Sequence, residues 1–526
     1  MKKISPYILL FISVLAVSCL KDRTNYNIHT PSPIVIDTTG VPGSYVVFQM
    51  DTLRVSPNIS KAGMNTDNLT YSWTMNYFQG YKRVIGTQKK LEGVVTEAPN
   101  SSAYSLILTV TDTTTNLKAF FSWIVTVNPR FGEGLVVADT KDGINSDLSL
   151  IMSYNFTSNI LYDSVSFTYR NLYSAANGAP LTGIVKGVAY MNYQNNRVLT
   201  CITDNAITRI NPISYVYTKL GNDNFILPPA AISPNMVQSV AVNNAHEYLV
   251  NNGKVHSRYG TNFQYGYAFL FDKTDYTCQK MCGLQTANTN GGAIYDEKNN
   301  RFLMLPTITS NSAPLVAYPV FDNSNPAPAY DPNNMGNKTC LNMEEGYNQK
   351  VFAVMKTRDL DQYAVYQLSV LSPVNGKMGY AINDLSSNPE IGQSKFYTES
   401  TQENVLFYAT DTKVYSTTLL TGGGTSPTVR YTVANGEKIT GMKMHIKGGR
   451  MSLPSLTAPD DYTQRIAATS ANRLLLLSTY NENTKEGKII AIPLQTLGVG
   501  GLVTDPAYIK TYGGFGKITA FNFQAP

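Results

Sequence analysis

The chain has 526 residues, and its 42 Lys and Arg against 36 Asp and Glu give a formal net charge of +6. Charged residues make up only 15% of the chain, which excludes the dense basic surface typical of nucleic-acid binding. The length exceeds what one ordinary hydrophobic core organises, so we expect two or more domains or one large repeat architecture.

The amino terminus has the pattern of a bacterial lipoprotein export signal. Lys2 and Lys3 precede an apolar stretch over residues 7–17, which is too short to remain as a membrane-spanning helix. Small residues then precede Cys19. We therefore predict that residues 1–18 are removed, that the Cys19 thiol carries the lipid, and that residues 19–34 are a lipidated tether. The alternative is an ordinary secretory signal that ends near a cysteine.

Residues 35–128 have the strand pattern of a small β-sandwich. Apolar and polar residues alternate around Trp73 and again from Tyr104 to Val110, so one face of each strand points to a core. About 95 residues with many short strands and no segment of helical period predict an immunoglobulin-like sandwich. The 35 tyrosines of the chain favour β structure in general.

From residue 132 to 526 a different pattern begins, in which a strand, a polar turn and a second strand recur. Units start at about 186, 236, 292, 350, 395 and 440, and their spacing suits the blades of a β-propeller. Residues 517–523 resemble a first strand with nothing after it, and residues 135–139 resemble a later strand with nothing before it. We therefore predict seven blades, closed by pairing of the C-terminal strand with strands near residue 135; six or eight blades are the alternatives.

The sandwich residues resemble the PKD-like domains. Tyr71 and Trp73 match the Tyr-x-Trp strand of that family, and Tyr104, Val110 and Asp112 match its Tyr…Val-x-Asp strand. With the Cys19 signal and the predicted propeller, the whole chain resembles the PKD-like family of Bacteroidota surface lipoproteins. The charged residues directly after the signal are similar to the sequence that sends such lipoproteins to the outer face of the outer membrane.

The resemblance implies a function in nutrient uptake at the cell surface. It implies a non-catalytic accessory or binding component that accompanies a TonB-dependent importer and its lid lipoprotein and that captures an oligosaccharide or a peptide. Two alternatives stay open from the sequence: an extracellular glycosidase or lyase on a propeller, and a structural or adhesive envelope protein. An enzyme is the less favoured interpretation, because no catalytic motif stands out, and it stays open because fold does not determine function.

The chain offers few candidate site residues. No catalytic, cofactor or metal motif is complete: His246 and Glu247 begin like a zinc-protease motif, but Val250 stands where the second histidine is required. Cys278 and Cys282 are close enough in sequence to predict a small disulfide loop, with buried free thiols as the alternative. Two long polar loops supply candidate ligand or docking residues, namely Tyr330, Tyr347, Arg450 and Tyr462.

Overall fold

A computed structural model of the chain describes residues 32–524, except 50, 62–65, 78–79, 98, 100–101, 129–130, 195, 241–245, 261–263, 286–290, 306–313, 320–326, 371–377 and 455–465. The predicted export signal, Cys19, and the tether up to residue 31 therefore lie outside the described residues. The described residues form an all-β fold, with one short α-helix among them, α1 (Leu172–Asn177). Among the described residues, no helix has the length and apolar character needed to cross a membrane.

The chain divides into two compact units, Met1–Arg130 and Phe131–Pro526. The described strands of the first unit are β1 (Ile34–Asp37), β2 (Ser44–Phe48), β3 (Thr52–Val55), β4 (Asn58–Lys61), β5 (Leu69–Tyr77), β6 (Tyr81–Gly86), β7 (Leu91–Val94), β8 (Tyr104–Asp112) and β9 (Lys118–Asn128). They form a five-stranded sheet of order β2-β9-β8-β5-β6 and two ribbons, β1-β4 and β3-β7.

One apolar core joins the large sheet of the first unit to its ribbons. Along β8 the side chains alternate between buried and more exposed positions, which explains why the sequence alternates there. Trp73 and Trp123 stack in the core with ring centroids 5.5 Å apart. The indole nitrogen of Trp73 donates a hydrogen bond to the Gln88 carbonyl at 2.8 Å, so its polar atom is satisfied inside the core.

Asp112, the last residue of the Tyr…Val-x-Asp strand, stabilises a turn and forms an ion pair with a buried lysine. Its carboxylate accepts hydrogen bonds from the Thr114 amide at 2.9 Å and the Thr115 hydroxyl at 2.6 Å, and it forms an ion pair with Lys61. Both partners of the pair are buried. The hydrogen bonds from Lys61, Thr114 and Thr115 lower the pKa of Asp112 below its ordinary value. The aspartate of the motif is therefore a structural residue.

The second unit contains seven antiparallel sheets of three to five strands among its described residues. The first four sheets contain β10 (Gly134–Thr140), β11 (Asn145–Ser153), β12 (Ser166–Tyr169) and β13 (Leu181–Thr182); β14 (Gly187–Tyr193), β15 (Asn196–Ile202), β16 (Ile207–Ile210) and β17 (Tyr217–Leu220); β18 (Pro234–Ser239), β19 (His246–Asn251) and β20 (Lys254–Tyr259); and β21 (Cys278–Gly283), β22 (Gly292–Asp296), β23 (Arg301–Leu305) and β24 (Val316–Ala317).

The remaining three sheets follow in chain order. They contain β25 (Lys338–Glu345), β26 (Val351–Thr357), β27 (Tyr363–Leu368) and β28 (Gly379–Asp384); β29 (Phe396–Glu399), β30 (Val405–Ala409), β31 (Lys413–Leu419) and β32 (Thr425–Thr432); and β33 (Glu437–Met444), β36 (Leu474–Asn481), β37 (Glu486–Thr496), β38 (Gly501–Leu502) and β39 (Lys510–Phe515). A separate ribbon pairs β34 (Arg450–Leu453) with β35 (Ile466–Thr469).

The last strand, β40 (Lys517–Gln524), joins the first sheet of this unit. It pairs antiparallel with β10, so that Leu135 faces Phe523 and Val137 faces Phe521. The Gln524 amide nitrogen also donates to the carbonyls of Gly132 at 2.7 Å and Pro212 at 3.1 Å. The predicted pairing of the C-terminal strand with the region near residue 135 is confirmed, and it covers two sheet edges that would otherwise be open.

The first strands of the seven sheets contact one another in a cycle. β14 contacts β18, β18 contacts β21, β21 contacts β25, β25 contacts β29, and β29 contacts β33. The cycle closes through β40, which contacts both β33 and β14. These seven strands therefore surround a common centre.

Two predicted repeat starts were wrong by one strand. The segments near residues 292 and 350 are β22 and β26, the second strands of their sheets, and the first strands are β21 and β25. β21 and β25 carry Gln, Lys, Asn and Glu among their apolar residues, because one end of each faces a polar cavity. The second strands are the more uniformly buried, so they gave the stronger apolar signal.

Candidate functional site

A cavity of about 440 Å³ lies at the centre of the second unit. Its lining comes from all seven strands of the contact cycle, β14, β18, β21, β25, β29, β33 and β40. The lining is mixed, with carboxylates, lysines, amides and aromatic rings, and its volume is in the range of small-molecule sites. This cavity is the candidate functional site.

Two carboxyl groups meet on one side of the cavity. Glu344 is near the end of β25, and Glu399 is the last residue of the neighbouring β29. The Glu344 Oε2 atom accepts a hydrogen bond from the Thr398 hydroxyl at 2.8 Å and from the Glu399 amide at 3.4 Å. The Asn342 amide nitrogen is 3.5 Å from Glu399 Oε2. The side-by-side packing of β25 and β29 therefore brings together two acids that are 55 residues apart in the sequence.

Burial disfavours the charged form of Glu399. It raises the pKa of Glu399 well above its ordinary value, and the nearby charge of Glu344 raises it further. Glu399 is only 2% exposed, so water does little to stabilise its charged form.

A lysine stands beside this pair on the next strand. Lys443 of β33 donates to the Asn522 side-chain oxygen of β40 at 3.3 Å. Burial lowers the pKa of Lys443, while attraction to Glu344 opposes that shift. The Asn522 amide nitrogen in turn donates to the Val188 carbonyl of β14 at 2.8 Å. These contacts fix the positions of the cavity wall from β33 through β40 to β14.

Other hydrogen bonds fix the opposite part of the wall. Gln238 of β18 forms two bonds to Gly283 of β21, one as donor at 3.2 Å and one as acceptor at 2.9 Å. The Gln285 amide donates to the Glu345 carboxylate, which joins the end of β21 to β25. Side chains that carry these bonds are already in place and lose little freedom when a ligand enters, which favours binding.

Four buried polar atoms of the lining have no hydrogen-bond partner among the described residues. They are the Oε1 atom of Glu399, the Oδ1 atom of Asn472, and the hydroxyls of Tyr190 and Thr401. Buried polar atoms in folded proteins are nearly always satisfied by protein, water or a ligand. All four atoms belong to residues that line the cavity, so a group placed there would meet acceptors and hydroxyls.

Tyr330, Tyr347 and Arg450 of the predicted loops do not line this cavity. The Tyr330 hydroxyl donates to the Gln367 carbonyl at 3.0 Å and its ring meets Tyr366 edge-on, so the half-buried Tyr330 packs against the fifth sheet. Tyr347 lies in a short 3-10 segment and is 37% exposed. The side chain of Arg450, at the start of β34, is exposed, and Tyr462 lies outside the described residues.

The predicted Cys278–Cys282 disulfide is not formed. Cys201, Cys278, Cys282 and Cys340 are buried free thiols. Cys278 and Cys282 lie at the two ends of the extended strand β21, where residues four positions apart are separated by about 13 Å. A disulfide requires Cα atoms within about 7 Å, so the pair cannot be bridged without unfolding this strand.

Two other polar residues of the second unit, Asp142 and His445, have structural roles. Asp142 accepts hydrogen bonds from the amides of Ile144 at 2.8 Å and Asn145 at 2.7 Å, and thereby shapes the hairpin between β10 and β11. Burial lowers the pKa of His445 to about 4, and its Nε2 atom is 3.0 Å from the Gly448 carbonyl. Within the described ranges, no group of three or more His, Cys, Asp or Glu side chains could hold a metal ion.

The sequence pattern did not identify Glu344 or Glu399 as site residues. Each lies in a segment that reads as an ordinary strand, and the two are far apart in the chain. The available signal is local: an acid at or near the end of each of two predicted strands. That signal becomes specific only when the partner strand is known.

The amino-terminal part of the chain matches a known protein family. Residues 19–184 match the PKD-like family. The matched PKD-like region, about one third of the chain, extends past Arg130 and includes the strands β10 to β13 of the second unit. The sandwich of the first unit is accordingly described as a PKD-like, immunoglobulin-like domain.

Comparison with solved structures adds little. Two similar structures are "COPII on membranes, outer coat vertex" and "The structure of the COPII coat assembled on membranes". Each is 11% identical to this chain with a TM-score of 0.37; the alignments cover 70% of this chain, and 85% and 47% of the respective matched chains. Similarity this low carries no argument about function. No curated protein matches the chain with significance.

Proposed function

We propose that the chain is a cell-surface lipoprotein that binds a small nutrient molecule, either a glycan fragment or a peptide, for an outer-membrane uptake system. The single observation that carries this proposal is the central cavity, lined by side chains from seven strands. Its polar walls are fixed by hydrogen bonds between neighbouring strands, which is the preorganisation expected of a binding site.

The proposal includes a seven-bladed β-propeller for the second unit. Three observations support it: seven antiparallel sheets follow one another in the chain, their first strands contact in a cycle, and β40 completes the sheet of β10. Propellers commonly place ligands at or near the central axis, and the cavity lies among the first strands. The sandwich then acts as a spacer between the membrane and the propeller.

The proposed location rests on the sequence. The apolar stretch over residues 7–17 and the small residues before Cys19 favour a lipid anchor at that cysteine. The proposed partners are a TonB-dependent importer and its lid lipoprotein. The PKD-like match over residues 19–184 is consistent with this arrangement.

Two measurements test the proposal. Calorimetry with the purified chain, against panels of oligosaccharides and short peptides, is expected to show saturable binding without turnover. Gentle detergent extraction of a tagged chain is expected to recover an importer and its lid. Turnover of a glycan by a chain that purifies alone would overturn the proposal in favour of an enzyme, and absence of any small ligand would favour a structural or adhesive role.

A further inference from the structure

We propose that the Glu344–Glu399 side of the central cavity binds a primary ammonium group, so that the ligand of the proposed uptake function carries a free amine. The inference rests on the proposed function and specifies the chemistry of its ligand. An amino sugar and the amino terminus of a peptide are the two sources of that group.

The acceptor geometry on this side of the cavity fits an ammonium. Glu399 Oε1 is buried and has no hydrogen-bond partner among the described residues, and Glu344 of the neighbouring strand accepts a hydrogen bond from the Glu399 backbone amide at 3.4 Å. An ammonium group has three donors and no acceptor, so it matches a site made of carboxyl oxygens. Hydrogen bonds between an ammonium and a carboxylate are short and strong, and they would satisfy the unpaired acceptor.

A bound ammonium stabilises the charged form of Glu399. Because burial raises the pKa of Glu399, we expect Glu399 to release a proton to solvent when the ammonium binds. The lining also carries Lys186, Lys280, Lys443 and Lys447, and Lys443 is attracted to Glu344, so the ammonium of the ligand competes with these side chains for the carboxyl oxygens. No covalent bond is formed or broken in the ligand.

The rest of the cavity suits a small ligand that is only partly charged. A volume of about 440 Å³ accommodates a monosaccharide, a disaccharide or a short peptide. Tyr190, Phe396 and Phe521 supply aromatic surface to the lining, and Asn235 and Gln238 supply amides. An amine at the acidic side would thus orient a ligand whose remaining surface meets rings and amides.

The test uses matched probes that differ in the amine. Glucosamine is compared with glucose and N-acetylglucosamine, and dialanine is compared with N-acetyl-dialanine, by calorimetry on the full chain. We expect the amine-bearing member of one series to bind at least ten times more tightly than its neutral counterparts, since charge-assisted hydrogen bonds have about that effect. The series that responds identifies whether the amine comes from a sugar or a peptide.

Variants connect the effect to the two acids. Glu344→Gln and Glu399→Gln are each expected to weaken binding of the responding amine about tenfold or more, and Glu482→Gln is the control, because Glu482 is exposed and forms an ion pair with Lys485. Calorimetry in buffers of different ionisation enthalpy is expected to show release of a proton on binding. Unfolding curves of each variant establish that it is folded before its affinity is compared.

The outcomes separate this inference from the proposed function. If a neutral sugar or acetylated peptide binds as tightly as its amine and both Glu variants bind it like the parent chain, the amine inference is wrong and the uptake proposal stands. If no probe and no member of the wider panels binds, both are wrong. If Glu344→Gln and Glu399→Gln do not fold, the probe series with the parent chain and its proton release decide the question.

Discussion

Removal of the charge of Glu247 is expected to destabilise the second unit strongly. Glu247 of β19 accepts hydrogen bonds from Arg258 Nε at 2.8 Å, the Tyr265 hydroxyl at 2.7 Å and the Thr200 hydroxyl at 3.1 Å. Glu247 and Arg258 are fully buried, and Arg209, also buried, lies over the Tyr265 ring. One guanidinium group is thus bonded to the Glu247 carboxylate, and a second is attracted to it, in an interior that water does not reach.

The magnitude follows from the burial of this cluster. Removing one partner of a buried ion pair costs about 3–5 kcal/mol, because the other charge is left without compensation. Here two cations would remain after Glu247→Gln. For a unit of about 400 residues the entropy of unfolding is about 0.8 kcal/mol/K, so the melting temperature is expected to fall by about 4–6 °C.

Circular dichroism during heating of the full chain measures this shift. Glu482→Gln removes a charge from an exposed ion pair and is expected to lower the melting temperature by about 1 °C or less. Arg209→Met is expected to be far milder than Glu247→Gln, since burial and the neighbouring Arg258 already lower the pKa of Arg209 to about 10 and its removal leaves a matched pair. If Glu247→Gln melts with the control, the stabilising role assigned to this carboxylate is wrong.

Three further predictions concern other parts of the chain. Because the pKa of Glu399 is raised in the folded state, its stabilising contribution is present at low pH and is lost as the pH rises from about 4.3 through the raised value. The melting temperature of Glu399→Gln relative to the parent chain should therefore be higher at pH 8 than at pH 5, and an unchanged difference would contradict the raised pKa of Glu399. Deletion of residues 517–526 removes β40, opens the edge of β10 and removes the contact of β40 with β14, so limited proteolysis should degrade the second unit. Deletion of residues 525–526 alone should not, and equal resistance of the two chains would show that β40 is dispensable. In a chain without residues 1–19, Ellman's reagent should titrate four thiols after unfolding and almost none before, and fewer than four without reductant would indicate a disulfide.

The strands with regular alternation could be predicted from the sequence. The segment from Tyr104 to Asp112 forms β8 as expected, because its even and odd positions face different environments in a sheet with one buried side. The same reasoning placed Trp73 in the core. The two chain ends of the second unit also revealed their pairing, because each had the pattern of an incomplete repeat.

The candidate site could not be predicted in the same way. β21 and β25 were missed as first strands because their polar residues face the cavity and interrupt the apolar pattern. Length and polarity indicate the loops around Tyr330 and Arg450 as candidate binding loops, but Tyr330 packs against the fifth sheet. Long polar segments indicate exposure, and exposure does not locate a ligand.

The sequence alone is enough to predict the class of the fold, because strand formation depends on period-two alternation and on turn residues that are neighbours in the chain. The export signal is local in the same sense. The site depends on distances between strands that are far apart in sequence: only the packing of β25 beside β29 brings Glu344 to Glu399, and only burial in that contact changes the protonation of Glu399. Proximity and dielectric environment are properties of the folded chain, and they decided where the chemistry of this protein lies.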